Sequence, residues 1–306
     1  MSFEKELSEK TAYCERVLNE HLPSVDGLEG SDRCAAVVVD AMHYSVMAGG
    51  KRLRPLFLSE TSSMYGGRRE LAEPFMAALE MIHNYSLVHD DMPAMDNDEL
   101  RRGMKTTWVK YGEGMAVLAG DALLNYAYET AVSAFDLCKD PKEIAGVISA
   151  LKILARNAGI YGMVGGQCAD LEAEKDPEAA DAGVLFYIHK HKTACMIESG
   201  FMIGAVLAGA PGEDIEKLGK IAENIGVAFQ IQDDILDVIG DTGELGKMTG
   251  SDEKEGKVTY VSMHGIDKAA EDVRKLSKEA LELFDSLSAR SDFLRELIVR
   301  LITRTK

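Results

Sequence analysis

Cysteine and positive charge are both scarce in this chain. Only 5 cysteines are spread over the 306 residues, and no two of them form a CxxC pair, so the spacing typical of a structural zinc site is missing. Their odd number and wide scatter indicate free thiols in a reducing compartment, and we therefore expect a cytoplasmic protein. The 34 lysines and arginines are outnumbered by 51 aspartates and glutamates, which gives a net charge of -17. This balance argues against a broad nucleic-acid-binding face, because such a face must be basic.

Long apolar runs are also missing. A membrane-spanning helix needs about 18 apolar residues in succession, and the nearest approach, around Phe201–Pro211, is shorter. The N-terminal sequence MSFEKELSEK is charged and lacks the apolar run of a signal peptide. We therefore expect no stable insertion into a membrane.

Strand-forming patterns are rare, whereas helical periodicity is widespread. Apolar residues recur three and four positions apart, as they do through Leu151–Leu154 and Leu218–Ile225. Prolines, which are expected where helices break, number only 7: Pro23, Pro55, Pro74, Pro93, Pro141, Pro177 and Pro211. No low-complexity linker divides the chain. We predict a single all-α domain over residues 1–306, with about ten or more helices.

A cluster of carboxylates lies in the segment HNYSLVHDDMPAMDNDELRR, residues 83–102. Its aspartates are Asp90, Asp91, Asp96 and Asp98. Carboxylates this close repel one another unless a cation neutralises them or water screens them. Magnesium suits the cluster because it takes hard oxygen ligands and completes its shell with water and substrate phosphate. A solvated acidic helix end is the alternative, but the adjacent Arg101–Arg102 pair favours a bound oligo-anion.

A second acidic cluster lies in the segment AFQIQDDILDVIGD, residues 228–241. Asp233 and Asp237 are four residues apart and therefore share one face of a helix, which Gln230 joins. Apolar neighbours predict that this helix is buried on most sides: Phe229, Ile231, Ile235, Leu236, Val238 and Ile239. Buried carboxylates need partners, and a metal ion is the natural one. A buried salt-bridge network is the alternative.

Basic residues follow a glycine pair in the segment GGKRLRP, residues 49–55. They are Lys51, Arg52 and Arg54. Glycines permit a close approach of the backbone, and the cationic side chains supply charge for a phosphate. Further candidates, each of which alone would pass for a surface residue, are Lys192, Lys247 and Lys257.

Together these segments resemble the trans-prenyl diphosphate synthases of the polyprenyl synthetase family, most closely the bacterial farnesyl diphosphate synthase or geranyltranstransferase group. The matching motifs, in chain order, are GGKRLRP (49–55), SLVHDDMPAMDND (86–98), RRG (101–103), LAGDALL (118–124), GGQCADL (165–171), HKTA (191–194), FQIQDDILD (229–237), GDTGELGK (240–247) and GKVTY (256–260). The resemblance implies an all-α isoprenoid-synthase bundle around a central cavity, usually as a homodimer.

The resemblance also implies a role for each matching residue. The ligands of about three magnesium ions would be Asp90, Asp91, Asp96, Asp233 and Asp237. The allylic diphosphate would be held by Arg101, Lys192 and Lys247, with Lys257 as a further substrate-binding residue. The diphosphate of isopentenyl diphosphate would be held by Lys51, Arg54, His83 and Arg102. The developing carbocation would face Thr193, Gln230 and the backbone carbonyl of Lys192.

By the same resemblance, the residues just before the first acidic motif limit the length of the product. Tyr85 and Ser86 are the fifth and fourth residues before Asp90, and five residues of helix span about 7.5 Å. A bulky aromatic there, with the two-residue insertion Pro93–Ala94, resembles the farnesyl enzymes. The expected product is farnesyl diphosphate; geranyl and geranylgeranyl diphosphate are the alternatives, and Tyr85 is otherwise a core residue.

The chain departs from the family where RRG normally continues with Lys-Pro-Thr. Here the residues are Met104, Lys105 and Thr106, and Trp108 stands where a polar residue is common. These changes put the geometry of one loop in question. Two remote alternatives are a terpene cyclase, which would pair one aspartate motif with an Asn/Ser/Glu motif, and a non-catalytic subunit of a heteromeric synthase, which would lack some of these residues.

Overall fold

Helices make up most of the computed structural model, which describes residues 2–239 and 258–302. The α-helices are α1 (Phe3–His21), α2 (Ala36–Val46), α3 (Leu53–Met64), α4 (Arg69–Asp90), α5 (Thr107–Tyr111), α6 (Glu113–Val132), α7 (Pro141–Ala158), α8 (Met163–Lys175), α9 (Ala182–Ile188), α10 (Cys195–Leu207), α11 (Gly212–Ile239), α12 (Tyr260–His264), α13 (Ile266–Asp285) and α14 (Asp292–Ile302). The other elements are three 3-10 turns (Val25–Gly27, Gly30–Ala35 and Ser133–Leu137), a π-helix (His189–Ala194), and one hairpin of β1 (Leu100–Arg101) and β2 (Met104–Lys105). The predicted all-α class is confirmed.

Helix α4 forms the centre of the bundle. Phe75, Met76, Leu79 and Ile82 are fully buried, and the helix packs against α6, α3, α1 and α10. Full burial of one such side chain contributes about 1.5–3 kcal/mol. Because α4 is held on several sides, Asp90, its last residue, has a fixed position at one end of the bundle.

Helices α3 and α10 cross closely because a glycine lies at their contact. A Cβ atom on Gly200 would lie 2.9 Å from the Arg54 carbonyl oxygen. The rings of Phe57 and Phe201 stack beside this contact with their centroids 4.5 Å apart. The crossing fixes the start of α3, and with it the basic segment 49–55.

Proline does not end a helix at Pro74, and that prediction is wrong. Helix α4 runs through this residue. A proline inside a helix removes one backbone hydrogen bond, and here the carbonyl that loses its partner belongs to the solvent-exposed Glu70. At an exposed residue the loss of one such bond is tolerated, and the helix continues to Asp90.

The second acidic helix is buried for only part of the predicted length. Ile231, Ile235 and Leu236 are buried, but Val238 and Ile239 are 59% and 62% exposed. The end of α11 therefore extends beyond the helices that cover its middle. The prediction of a helix buried on most sides is wrong at this end.

One helical stretch among the described residues, Pro141–Lys175, is long and apolar enough to cross a membrane, with a mean hydropathy of 1.2. It comprises α7 and α8, which are separated at Gly159–Gly162. Helix α7 packs against α10 within the bundle. Since core helices of bundles pass the same test, the stretch is weak evidence for a membrane span.

Candidate active site

Two cavities meet at the C-terminal half of α4. The first, which we call the Asp90 cavity, has a volume of about 420 Å³. The second, which we call the Lys51 cavity, has a volume of about 720 Å³. Arg54 and His83 line both of them. These two side chains therefore form a wall shared by the two cavities.

The Asp90 cavity combines polar groups with an extended apolar wall. Its polar lining includes Asp90, Gln167, Lys192 and Thr193. Its apolar lining consists of Tyr85, Leu87, Met95, Met163, Val164 and Leu171. Tyr85 and Ser86 thus face the same space as Asp90, so the predicted chain-length residues and a predicted metal ligand belong to one cavity.

The surroundings of the Asp90 carboxylate disfavour its ionised form. Burial raises the pKa of Asp90 from 3.8 to about 6; the Lys192 ammonium lowers it, and the nearby Asp96 carboxylate raises it further. Burial and a like-charged neighbour both disfavour the ionised form. A cation bound at this end of α4 would relieve both effects.

Asp91, the next residue, lies outside the lining of the Asp90 cavity. It is only 3% exposed, and Arg101 Nε donates a hydrogen bond of 2.6 Å to its Oδ1 atom. Burial is the main cause that raises the pKa of Asp91, and the Arg101 bond opposes it. The predictions that Asp91 binds metal and that Arg101 binds phosphate stay predictions, and the structure pairs the two side chains with each other.

Asp91→Asn separates a positioning role from a metal-binding role. The variant loses a charge-assisted bond in a buried place, so we expect its free energy of unfolding to fall by roughly 1–3 kcal/mol. We expect kcat to fall as well, but the loss should be about tenfold or more smaller than the loss in Asp90→Asn, because Asp91 acts through Arg101. Urea unfolding and steady-state kinetics measure both. Unchanged stability with an equally large loss of kcat would show that Asp91 is a ligand.

The loop that departs from the family pattern is closed by its own hydrogen bonds. Its tight turn, Arg102–Gly103, has left-handed φ angles of 52° and 76°, as a two-residue hairpin turn requires. The Thr106 hydroxyl and the Trp108 indole N–H both donate to the Asp98 carbonyl, at 2.8 Å and 2.9 Å. Trp108, which differs from the family, and Thr106, which matches it, therefore hold the end of the first acidic motif.

The Lys51 cavity is strongly basic. It brings together the predicted residues Lys51, Arg54, His83 and Arg102, with one acidic residue, Glu80. The Arg54 Nε atom is buried and has no hydrogen-bond partner among the described residues, and burial lowers the pKa of Arg54. Burial, followed by the charges of Arg54 and Arg102, lowers the pKa of His83 well below 6.5. Desolvated cationic groups with an unused donor suit an anionic ligand.

The glycine pair brings the hairpin to the Lys51 cavity. Gly49 and Gly50 have φ angles of 92° and 138°, which few other residues adopt. Arg102 donates to the Gly49 carbonyl, and a Cβ atom on Gly50 would lie 2.9 Å from Arg102 Nη1. Arg52 differs from its neighbours, since it is buried and donates to Glu80 Oε1 at 2.9 Å. Its charge is balanced within the protein.

Lys192 and Thr193 lie in the π-helix His189–Ala194, which the sequence does not reveal. A π-helical turn is wider than an α-helical turn and is frequent at functional sites. A Cβ atom on Gly166 would overlap the Lys192 backbone, and one on Gly226 would overlap the last residue of the π-helix. Glycines in α8 and α11 thus leave room for the wide turn.

Asp170 is a residue of this site to which the sequence alone assigned no role. Its Oδ2 atom pairs with the Lys192 ammonium, which itself lines the Asp90 cavity. Asp170 follows Gly166 by four residues and so shares its face of α8. That spacing within GGQCADL is the only signal in the sequence that could have indicated it.

The second acidic motif is linked to the Asp90 cavity through Thr193. The Thr193 hydroxyl donates to Gln230 Oε1 at 2.6 Å, and the Gln230 amide makes a longer contact of 3.4 Å with Asp233. Asp234 instead accepts the Tyr260 backbone N–H at 2.7 Å. Asp233 is therefore connected to the cavity through Gln230 and Thr193. Asp237 shares its face of α11.

The carboxylates of this site suit magnesium better than a metal that is bound by protein ligands alone. Among residues 2–239 and 258–302, no three carboxylate, imidazole or thiol groups surround one point. Magnesium commonly takes one or two carboxylates and completes its shell with water and substrate phosphates. Asp90 supplies a buried carboxylate with a raised pKa, and Asp96 is close enough to raise it further. The predicted residues Lys247 and Lys257 lie outside the described residues.

Comparison with known proteins gives consistent relatives. A family model described as polyprenyl synthetase matches residues 35–296. A farnesyl diphosphate synthase of Escherichia coli (strain K12) is 44% identical over 257 residues, which cover 83% of this chain and 84% of that protein. A chloroplastic geranylgeranyl pyrophosphate synthase of Capsicum annuum is 43% identical over 256 residues, which cover 83% of this chain and 68% of that protein. A crystal structure of an FPP/GFPP synthase from Zymomonas mobilis has a TM-score of 0.85 at 32% identity and covers 98% of this chain and 99% of its own.

The relatives differ in the product that their names give, but they share one class of reaction. The farnesyl and geranylgeranyl enzymes are similar to this chain at almost the same identity. What they have in common with it is therefore the class rather than one chain length. The chain belongs to the polyprenyl synthetase family, and it is a prenyltransferase of the trans-prenyl diphosphate synthase type.

Proposed function

We propose that this chain, as a single catalytic domain, condenses isopentenyl diphosphate head-to-tail with dimethylallyl and then geranyl diphosphate, and that it releases farnesyl diphosphate. One observation carries the proposal: the Asp90 and Lys51 cavities share the wall of Arg54 and His83. A diphosphate in the Asp90 cavity lies beside carboxylates and therefore needs a bridging cation. The basic Lys51 cavity attracts a diphosphate directly. The apolar wall of the Asp90 cavity suits a prenyl tail.

The proposed magnesium ligands belong to the two acidic motifs. About three ions would be held, together with the allylic diphosphate, by Asp90, Asp96, Asp233 and Asp237. Bound magnesium neutralises the charge that grows on the departing diphosphate. Cationic side chains proposed to assist are Lys192, which lines the cavity, Arg101, Lys247 and Lys257. Asp91 contributes by holding Arg101.

The protein's own groups then guide the reaction. The allylic C–O bond breaks, and its electron pair leaves with the diphosphate. The cation that remains faces the Thr193 hydroxyl, the Gln230 amide oxygen and the Lys192 carbonyl, whose dipoles stabilise it. The double bond of isopentenyl diphosphate attacks this cation, and the proton then lost passes to the released diphosphate. Apolar side chains keep water from the cation.

Tyr85→Ala is expected to lengthen the products. Tyr85 is 7% exposed and lines the Asp90 cavity next to Ser86, so its ring would end the space for a tail that contains about three isoprene units. Removing the ring opens this end, and we expect the ratio of C20 to C15 product to rise about tenfold or more. Chromatography of the dephosphorylated products measures the ratio.

Tyr85→Phe is the matched control, because it keeps the ring and removes only the hydroxyl. It should release products of wild-type length. If Tyr85→Ala also leaves the product distribution unchanged, the end of the cavity lies elsewhere, and Tyr85 is a core residue.

A second copy of the chain is the proposed partner. Large apolar side chains are exposed on α6, on α7 and between α7 and α8: Val117, Leu118, Ile144, Ile148, Ile160 and Tyr161. A protein interface would cover these side chains, and a two-fold symmetric dimer is the simplest such interface. A monomer in sedimentation equilibrium would contradict this assembly.

The proposed location of the protein is the cytoplasm.

Product analysis tests the reaction. The purified chain is incubated with radiolabelled isopentenyl diphosphate and each allylic primer, with and without magnesium. We expect magnesium-dependent farnesyl diphosphate from the dimethylallyl and geranyl primers. Hydrocarbon or alcohol released without isopentenyl diphosphate would indicate a terpene cyclase, and no turnover by the chain alone would indicate a non-catalytic subunit.

A further inference from the structure

His89 belongs to the wall of the Asp90 cavity, although the proposed chemistry gives it no part. It lines the cavity together with Tyr85 and Ser86. A side chain on a helix covers the turn before its own Cα atom, so the imidazole reaches back to the level of Tyr85. The two rings meet edge to face, with their centroids 5.9 Å apart and an angle of 81° between their planes.

The imidazole rests on α6 at Gly120, a residue of the LAGDALL motif (118–124). His89 Nε2 lies 3.2 Å from the Val117 carbonyl oxygen, and since a carbonyl only accepts, Nε2 carries the proton. A Cβ atom on Gly120 would lie 2.8 Å from His89 Cε1 and closer still to Nε2. The ring therefore keeps its place against α6 only because residue 120 has no side chain.

The two helices cannot easily separate to relieve such an overlap. Helices α4 and α6 share an extensive contact, and the α6 residues Ala116 and Leu123 on either side of Gly120 are fully buried. Close-packed interiors transmit strain rather than absorb it. A side chain at residue 120 would therefore displace the imidazole, and the open side available to it is the cavity.

We infer that His89, seated on Gly120, determines product length together with Tyr85 by setting the width of the Asp90 cavity at the level of the Tyr85 ring. The inference rests on the proposed function, since it concerns the tail of the same prenyl substrate. Removing the imidazole opens space between α4 and α6, and the tail then has a path beside Tyr85. Pushing the imidazole inward narrows the cavity at a place that a geranyl tail must occupy.

Four variants test this wall in the full-length protein with magnesium: His89→Ala, His89→Phe, Gly120→Ala and the double variant His89→Ala/Gly120→Ala. For His89→Ala we expect the C20 to C15 ratio to rise about tenfold, whereas His89→Phe, which keeps the bulk, should keep the wild-type ratio. For Gly120→Ala we expect C10 product to accumulate and kcat/KM for geranyl relative to dimethylallyl diphosphate to fall about tenfold.

The double variant tests the contact itself. Its alanine methyl group would occupy the space that the ring leaves, so geranyl use and Tm should recover from the Gly120→Ala values towards those of His89→Ala. Lower Tm and kcat in His89→Ala and Gly120→Ala with an unchanged product ratio would mean a structural role only and would overturn the inference. If the wild-type protein condenses nothing, the proposed function fails; if it elongates and only the variant ratios stay constant, this inference alone fails.

Discussion

Asp90→Asn is expected to lower kcat by about 10³-fold or more. The substitution removes the charged ligand that would hold the magnesium ions, and these ions would stabilise the departing diphosphate. The substitution keeps the size of the side chain and its capacity for hydrogen bonds. It removes the carboxylate that burial and Asp96 already hold at a raised pKa of about 6. Folding should not suffer, since a neutral amide relieves that electrostatic cost. Steady-state kinetics with isopentenyl and geranyl diphosphate at saturating magnesium measure the loss.

Asp98→Asn is the matched control for this variant. Asp98 belongs to the same acidic segment but is exposed, and its side chain makes only a 3.6 Å ion pair with Arg101. Exposed pairs contribute little, so kcat should stay within about threefold of wild type. An equal loss in both variants would show that the overall charge of the loop matters and not a metal ligand at Asp90.

Arg54→Gln is expected to raise KM for isopentenyl diphosphate by about 100-fold, because a charge-assisted bond in a desolvated site contributes roughly 2–3 kcal/mol. Arg54 has a buried Nε atom without a hydrogen-bond partner among the described residues, so its donor is available to a ligand. Glutamine keeps a donor but loses the charge and the forked geometry. Initial rates at varied isopentenyl diphosphate and saturating geranyl diphosphate give this KM.

Arg33→Gln provides the comparison, because Arg33 is exposed and its Nε atom donates to the Leu28 carbonyl at 3.3 Å. Its KM values should match those of the wild type. The assignment of the Lys51 cavity would be contradicted if Arg54→Gln raised KM for geranyl diphosphate and left KM for isopentenyl diphosphate unchanged.

The helix that ends at Asp90 and the meeting of the basic residues could both be predicted from the sequence. Apolar periodicity up to Val88 followed by Asp90 and Pro93 indicates where α4 ends, and α4 does end at Asp90. The position of Tyr85 could not be derived in the same way. On an ideal helix it turns well away from Asp90, yet both line one cavity, because the cavity extends around α4 rather than along one face.

Other features depend on partners that are distant in the sequence. Arg101 pairs with Asp91, and its neighbours in the sequence give no sign of this contact. The contact depends on how the hairpin folds back onto α4. The π-helix around Lys192 follows from the space left by Gly166 and Gly226, which only the packing of three helices reveals. Local sequence patterns do not reveal such contacts.

The Lys51 cavity is proposed to bind a diphosphate directly, whereas the Asp90 cavity is proposed to need metal. Isothermal titration calorimetry tests it with isopentenyl diphosphate and with an unreactive allylic thiolodiphosphate, each with and without magnesium. We predict that isopentenyl diphosphate binds the metal-free protein through the Lys51 cavity, and that Arg54→Gln weakens this binding. We predict that the allylic analogue binds only with magnesium, and that Asp90→Asn weakens it. Equal binding of the allylic analogue to the wild-type protein with and without magnesium would show that the Asp90 cavity does not need metal.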